Sequence, residues 1–349
     1  MSTTIGLLRS TTTALAVALT VTACGASEPV APDAVADGGE GRTAYPLVLD
    51  NCGTELTLDG PPQRVVSLDQ GSTEILLSLG LADQVVGTAS WTDPVLPALA
   101  EADESVPRLA DNAPSYEAVL GADPGFVTAS FGRHFATGGV AERARFAETG
   151  IASYLSPTDC EDGRSINGGG TRTRPLEVES LYQEIRELAE VFDVQARGEA
   201  LVAGLQERAD AATDRIEQTD LTMAFWFADT KSPYVAGGLG SANLLATTVG
   251  ADNAFADMEE DWPAVGWETV VERDPDVLVL GDLLRDRFPG DRLADKQAFL
   301  AADPLTSTLQ AVRDEAYIAL HGAEMNPSIR FVDGLEKIAD GLEQIRAAS

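Results

Sequence analysis

The only two histidines of the chain, His134 and His321, each follow a run with the composition of a β-strand. An imidazole in such a position can ligate a metal ion or a haem iron, and Tyr234, which also follows a predicted strand, could supply a second ligand. A lone histidine in a polar loop is more often structural, so both interpretations stay open. Proteins that bind bare zinc as their solute usually show three histidines and a carboxylate, a set that this chain lacks, and we expect no bare metal site.

Two arginines are candidates for pairing with an anionic ligand. Arg133 and Arg330 are scarce positive charges in a chain with a formal net charge of -32. A guanidinium offers planar, bidentate donors that match carboxylate or phosphate groups. We predict that both bind the ligand. The alternatives are a surface ion pair for either residue, and for Arg330 a place in the first turn of the last helix.

Trp91 and Trp262 lie in predicted loops, whereas Trp226 stands inside a strand with Phe225 and Phe227. Flat aromatic rings suit a large planar or catecholate ligand. We therefore predict that Trp91 and Trp262 contact the ligand, and we assign Trp226 to the core.

The run from Gly237 to Ala242 (GGLGSA) superficially resembles a dinucleotide-binding loop. It precedes a predicted helix, whose N-terminus could hold a ligand anion. The acidic residue that a dinucleotide site requires after a second strand is missing. The run is then either a loop of a binding cleft or a plain turn.

Cys24 ends a segment that is typical of an export signal. Arg9 is its only basic residue, and the apolar run from Ala14 to Val21 is too short to span a bilayer. The sequence V-T-A-C resembles a bacterial lipoprotein signal, in which the cysteine is lipidated and becomes the first mature residue. This resemblance implies a signal peptide over residues 1–23 and an extracytoplasmic protein anchored to the outer face of the cell membrane. The alternative is an ordinary cleavable signal with an incidental cysteine.

Cys52 and Cys160 are the two remaining cysteines, and in an exported chain they predict a disulfide. The bond would close a loop of 108 positions and would contribute about 4 to 5 kcal/mol in the chain-entropy model. A Cys/His metal site is the rival interpretation, although both histidines are distant in sequence from both cysteines.

Composition sets the broad class of the protein. Residues 24–43 are small, acidic and rich in Pro and Gly, which predicts a flexible linker before a globular part large enough for two domains. The acidic balance excludes nucleic acid and anionic lipid surfaces as ligands. It favours a monomer whose only contact with the membrane is the lipid anchor.

Short β-branched runs alternate with helical runs on both sides of a long helical stretch. Such alternation predicts βαβ units with mostly parallel sheets. In the intervening stretch, Leu181, Ile185 and Leu188 recur at helical spacing. The predicted fold is α/β, with two Rossmann-like lobes (44–175 and 218–349) joined by one long helix within 176–217. The first helix is expected over 72–79, capped by Ser72 or Thr73.

The order and spacing of several motifs resemble the substrate-binding lipoproteins of ABC importers for iron-siderophores, corrinoids and haem, the class III group with a single interlobe helix. The segments that carry the resemblance are Pro62 to Ser67 (PQRVVS), Ser72 to Ile75 (STEI), Leu79 to Gly87 (LGLADQVVG), Trp262 to Glu268 (WPAVGWE), Asp274 to Leu280 (DPDVLVL) and Asn326 to Arg330 (NPSIR).

The resemblance implies a binding protein that captures a metal chelate or tetrapyrrole between its lobes and delivers it to an ABC permease dimer. A ferric siderophore is the leading ligand, and haem, a corrinoid and a phosphate-bearing deazaflavin precursor are the alternatives. It further implies that Glu74 lies on the surface and docks the permease, with Glu259 or Glu260 acting on the second lobe. The protein would need no cofactor apart from its bound ligand.

The rival function is a two-lobed α/β enzyme. The sequence contains no Gly-x-Ser-x-Gly motif, Walker loop or zinc-protease motif. We therefore expect a binding protein without catalytic residues.

Overall fold

A computed structural model describes residues 42–216, 220–285 and 287–348 of the chain. The predicted signal peptide, Cys24 and almost all of the predicted linker lie outside the described residues. The last residue of that linker, Thr43, belongs to the folded body, because its amide donates to Asp193 Oδ1 at 2.7 Å. A search of the described ranges found no helix with the length and apolar character needed to cross a membrane.

The N-terminal lobe is built on a parallel sheet with the strand order β5-β4-β3-β6-β7. Two antiparallel hairpins, β1-β2 and β8-β9, flank it. Its strands are β1 (Leu47–Asn51), β2 (Thr54–Leu58), β3 (Val65–Ser67), β4 (Val85–Ala89), β5 (Arg108–Ala110), β6 (Phe126–Ala129), β7 (Ala152–Leu155), β8 (Cys160–Glu161) and β9 (Arg164–Ser165). Its helices are α1 (Gln70–Ser78), α2 (Ala100–Asp103), α3 (Tyr116–Gly121) and α4 (Arg143–Glu148).

Two helices, not one, connect the lobes. The predicted long helix is interrupted between α5 (Val178–Val191) and α6 (Gln195–Thr213). The physical reason is Asp193, whose φ of 56° is in the left-handed region and cannot continue a right-handed helix. Helix α6 contacts both lobes: at its start Arg197 Nη1 donates to Leu79 O at 3.0 Å, and further along Arg208 pairs with Asp333.

The C-terminal lobe is built on a second sheet with the order β11-β10-β13-β14, and β12 also pairs with β10. Strands β10, β13 and β14 are parallel, and β11 is antiparallel to β10. The strands are β10 (Thr222–Ala228), β11 (Tyr234–Val235), β12 (Asp252–Asn253), β13 (Val277–Asp282) and β14 (Tyr317–His321). The helices are α7 (Ser241–Thr248), α8 (Trp267–Arg273), α9 (Leu293–Ala302), α10 (Gln310–Arg313), α11 (Gly322–Met325) and α12 (Phe331–Ala348). The α/β class with two mostly parallel sheets is confirmed.

The apolar core is continuous across the connecting helices. One cluster of buried side chains contains Val65 and Ile75 of the N-terminal lobe, Leu188 of α5, Leu205 of α6 and Leu335 of α12. Separate clusters fill the opposite face of each sheet. Each sheet is therefore covered on both faces, as parallel sheets require.

The predicted disulfide is confirmed. Cys52, in the turn between β1 and β2, bonds to Cys160 at the start of β8, with Cα atoms 5.7 Å apart. This pairing removes the rival Cys/His metal site. The predicted cap of the first helix is wrong, because Asp69 occupies the N-cap position and accepts from the amide of Ser72.

Candidate functional site

The carboxyl ends of the parallel strands in both lobes face one cleft. Ligands of open α/β sheets bind at such ends, outside the carboxyl termini of the strands. Three neighbouring cavities open there, and we call them central, lateral and aromatic. The central cavity, of about 350 Å³, is lined by Thr92, Ser130, Phe131, Arg133, Thr158, Asp159, Asn167, Arg172, Phe227, Ser241, Asp261, Trp262, Arg285, Met325, Asn326 and Pro327.

Arg133 enters the central cavity from the N-terminal lobe, on the loop after β6. Its guanidinium carbon lies 4.2 Å from the centre of the Phe131 ring, and it forms no ion pair with any described residue. Two contacts hold this loop in place. Asp159 accepts from the amide of Gly132 at 2.7 Å, and the backbone there packs too closely for a side chain, since a Cβ on Gly132 would lie 1.7 Å from Ser165 Oγ. The result is a positioned cation that the nearby charges of Asp69 and Asp159 attract but that no described carboxylate meets at ion-pair distance.

The C-terminal lobe supplies the facing wall. Trp262 packs against Phe227 with ring centroids 4.9 Å apart. Ser241, at the start of α7, is only 5 % exposed, and its hydroxyl has no hydrogen-bond partner. This hydroxyl therefore remains available to a bound molecule. The predicted contact of Trp262 with the ligand is compatible with this position.

The sequence interpretation missed Arg285, which lines all three cavities. It lies just after β13, and its guanidinium pairs with the fully buried Asp291, Nε to Oδ2, at 3.2 Å. The rings of Phe227 and Phe288 lie 5.9 and 5.7 Å from it. The sequence does indicate Arg285 in one respect, because this residue lies in the loop that follows a buried strand of the second lobe.

The lateral cavity, of about 490 Å³, contains Trp91 and extends from the N-terminal lobe to Arg285 and Arg287. The guanidinium of Arg108 stacks 3.4 Å above the Trp91 ring, and the indole nitrogen donates to Thr88 Oγ1 at 3.1 Å. Trp91 thus lies at the cleft but not in the central cavity. Arg108 already covers one face of its ring.

The aromatic cavity, of about 640 Å³, belongs entirely to the C-terminal lobe. It is lined by Phe227, Ala228, Asp229, Thr230, Lys231, Tyr234, Trp262, Arg285, Phe288 and Pro289. Tyr234, predicted as a binding residue, is one of its walls and is 42 % exposed.

Glu74 does not lie on the surface, and its predicted docking position is wrong. The side chain is fully buried, and its Oε2 accepts from Arg330 Nε at 2.8 Å. A second guanidinium nitrogen of Arg330 bonds to Oε1. Helix α1 turns this face toward the C-terminal lobe, so Glu74 cannot meet a permease without unfolding the contact.

The same pair overturns the prediction for Arg330, which is 4 % exposed and lines none of the three cavities. Burial alone would lower the pKa of Arg330, but its hydrogen bond to Glu74 raises that pKa above its ordinary value. The two side chains therefore pair with each other across the lobes and are not available to a ligand. Arg330 directly precedes α12, next to the first helical turn that was considered as its alternative position.

Arg172 and Asp261 form a second link between the lobes. Arg172 Nε lies 3.0 Å from Asp261 Oδ1, and its Nη2 donates to Thr158 O at 3.0 Å. The Asp93 carboxylate adds a third link by accepting from the amide of Ala323 at 2.9 Å. These contacts hold the lobes together next to the cleft.

The structure removes both histidines from the predicted ligand set. His134 is 2 % exposed, and its Nε2 lies 3.7 Å from Asp69 Oδ2, beneath the cavity wall. Burial lowers the pKa of His134, against the attraction of Asp69. His321 caps α11 together with Glu324. A search of the described ranges found no group of three or more His, Cys, Asp or Glu side chains that could hold a metal ion.

The glycine-rich run is a cleft loop with tight backbone packing. A Cβ on Gly237 would lie 2.0 Å from Glu260 O, and one on Gly238 would lie 2.0 Å from Ala256 O. The glycines thus allow the loop to pass close to residues 256–260 and place Ser241 in the central cavity. Glu259 and Glu260, the two alternatives considered for docking on the second lobe, are both exposed.

Comparison with known proteins agrees with this architecture. The sequence profile of the periplasmic binding protein family matches residues 65–323. A cobalamin-binding protein of Halobacterium salinarum is 25 % identical over 331 residues, covering 93 % of this chain and 82 % of the relative.

Two crystal structures share the fold. A periplasmic binding protein from Veillonella parvula aligns with a TM-score of 0.73 at 22 % identity, over 85 % of this chain and 97 % of the other. A protein of an ABC-type Fe3+-hydroxamate transport system from Saccharomonospora viridis aligns with a TM-score of 0.69 at 27 % identity, over 86 % and 99 %.

Proposed function

The chain belongs to the periplasmic binding protein family and is an extracytoplasmic solute-binding component of an ABC importer, and from this premise we propose that its solute is an anionic ferric siderophore. The observation that carries the proposal is Arg133, a guanidinium that lines the central cavity without a carboxylate partner among the described residues. In a chain with a net charge of -32, an unpaired cation at a binding cleft favours a ligand that brings its own negative charge.

Each wall of the cleft has a role in this proposal. Arg133 and Arg285 meet the carboxylate or deprotonated chelating oxygens, and Ser241 donates to another oxygen of the ligand. Trp262 and Phe131 lie against its flat faces. Trp91 closes the lateral side, and Tyr234 belongs to the adjoining aromatic cavity. A ferric chelate with several anionic oxygens matches this set of donors better than a neutral solute does.

A corrinoid is the second candidate, because the Halobacterium salinarum relative is a cobalamin-binding protein. Titration of the apo protein, followed by tryptophan fluorescence, separates the candidates. An anionic ferric siderophore should quench the fluorescence at lower concentration than cyanocobalamin or haemin does. Tighter binding of cyanocobalamin would replace the siderophore proposal with the corrinoid one.

The absorbance of protein purified from its native host is an independent test. A siderophore charge-transfer band supports the proposal, whereas a Soret band or a corrinoid spectrum identifies one of the alternatives. Incubation with ester and phosphate substrates tests the absence of catalysis, and any turnover abolished by Arg133→Gln contradicts a purely binding role.

The lipid anchor on Cys24 also belongs to the proposal. It rests on the V-T-A-C sequence after an apolar run and on the extracytoplasmic location of the family. Mass spectrometry of the native protein should find a mature N-terminus at Cys24 that carries acyl chains. A different N-terminus, or an unmodified cysteine, contradicts the anchor.

A further inference from the structure

The aromatic cavity has the character of a binding site, although the C-terminal lobe supplies all of its lining residues. Phe227, Tyr234, Trp262 and Phe288 form its walls, and its volume is about 640 Å³. Phe288 is 59 % exposed and Tyr234 is 42 % exposed. Large side chains exposed together around a concavity mark a ligand or partner site more often than scattered ones do.

The walls are held in place before any ligand arrives. Asp291 is fully buried and accepts from the amides of Arg287 at 2.8 Å and Phe288 at 3.0 Å. On the other side, Trp267 Nε1 donates to Thr230 O at 2.7 Å, which fixes the loop after β10. A cavity whose loops are anchored in this way loses little entropy when an apolar group enters it.

The aromatic cavity is continuous with the central one through the residues that they share. Phe227, Trp262 and Arg285 line both. Arg285 therefore stands at the junction, with cationic and hydrogen-bonding groups on one side and aromatic rings on the other. A single molecule can place a charged head at Arg285 and an apolar group among the rings.

We propose that the aromatic cavity is a second subsite, which receives an acyl chain or aryl group attached to the chelating head, so that the ligand is an amphiphilic anion. The binding of the chelating head near Arg285 rests on the proposed function. The binding of the apolar tail in the aromatic cavity does not. Because burying one methylene changes the affinity about fourfold, a chain of several carbons would dominate the selectivity between related chelates.

Straight-chain carboxylates from butanoate to decanoate provide a test that needs no siderophore. Calorimetry should show affinity rising by up to about fourfold per added methylene, until the chain fills the cavity. In the double variant Phe288→Ala/Tyr234→Ala this rise should become much shallower. Val48→Ala is the matched control, because Val48 is 56 % exposed and lies on β1, remote from the cleft, and it should keep the full rise.

Equal affinity for butanoate and decanoate overturns the proposal, and so does a rise that the double variant leaves intact. A second arm compares an anionic ferric tricatecholate carrying an N-acetyl group with the same chelate carrying an N-octanoyl group. If neither chelate binds while the carboxylate series still rises, the siderophore proposal fails and the subsite stands. If both chelates bind equally and the carboxylates show no rise, the subsite fails and the siderophore proposal stands.

Discussion

Arg133 provides the most direct test at the scale of a single residue. Arg133→Gln keeps the length and polarity of the side chain but removes the charge. Hydrogen bonds to charged groups are worth about 1.5 to 3 kcal/mol, so affinity for an anionic ferric chelate should fall at least tenfold. The loss, measured by fluorescence titration, should shrink as salt is added, because screening weakens the charge term.

Arg64→Gln is the control for this measurement, since Arg64 lies outside the cleft and pairs with Asp123 on the surface. It should leave the affinity within twofold of the wild type. Equal effects of the two substitutions would mean that Arg133 acts only through the overall charge of the protein.

The buried carboxyl of Glu184 should make stability depend on pH. Burial raises the pKa of Glu184 to about 8, its hydrogen bond from Ser156 lowers it, and the nearby charges of Asp69 and Glu187 raise it. Between its ordinary pKa and this value the folded chain holds a proton that the unfolded chain has lost. Stability therefore falls as pH rises through that interval, by up to about 1.4 kcal/mol per pH unit.

Glu184→Gln should abolish this slope, and its Tm relative to the wild type should increase from pH 5 to pH 8. His134 contributes in the opposite direction, because burial lowers its pKa and its stabilisation is lost as pH falls below the unfolded value. This second effect is present in both proteins. Parallel Tm profiles for variant and wild type would contradict the assignment.

The position of a residue in a loop indicated some of the residues that line the cavities. The burial of other candidates could not be recognised from the sequence. Arg133 lines a cavity because it follows β6, and Tyr234 does so because it lies beyond β10, whereas Trp262 reaches two cavities from the loop between β12 and α8. Arg330 is equally polar, but it forms a buried ion pair with Glu74, which is 256 positions away in sequence. No spacing rule reveals such a pair, since it forms only when the two lobes meet.

At the scale of elements, α1 and the start of α12 are joined by the buried Glu74 to Arg330 pair. Removing one partner of such a pair leaves an uncompensated charge and costs about 3 to 5 kcal/mol. Glu74→Ala should therefore lower the free energy of unfolding by that amount in denaturant titrations. Glu179→Ala removes an exposed pair with Arg186 and should cost less than about 1 kcal/mol.

A loss for Glu74→Ala as small as that of the control would show that the contact is not maintained in solution. The double variant Glu74→Leu/Arg330→Met should recover much of the stability, because apolar residues of similar volume can replace a buried ion pair. Recovery of stability in the double variant would show that the loss in Glu74→Ala comes from the unpaired charge and not from damage to the packing of α1.

The order of strands and helices was predictable, because apolar periodicity reports which face of each element is buried. The break between α5 and α6 was not. The stretch around Phe192, Asp193 and Val194 contains neither Pro nor Gly, and its apolar residues continue the helical spacing. The left-handed Asp193 is stabilised by contacts distant in sequence, among them the hydrogen bond from Thr43.

At the scale of the whole molecule, the two lobes share one apolar core through α5, α6 and α12. The pairing of Arg172 with Asp261 and of Glu74 with Arg330 adds polar links across the same boundary. Separate domains with small interfaces unfold independently, whereas a continuous core couples them. The two lobes should therefore unfold in a single transition, and neither lobe should be stable alone.

The distribution of tryptophans makes this prediction measurable. In the Trp91→Phe variant all remaining tryptophans, Trp226, Trp262 and Trp267, lie in the C-terminal lobe. Its fluorescence then reports that lobe alone, while far-ultraviolet circular dichroism reports both lobes. With the disulfide intact, the two thermal curves should coincide, and Leu205→Ala in α6 should move them together to lower temperature. Two separated curves, or a shift of only one of them, would mean that α6 connects the lobes without coupling their stability.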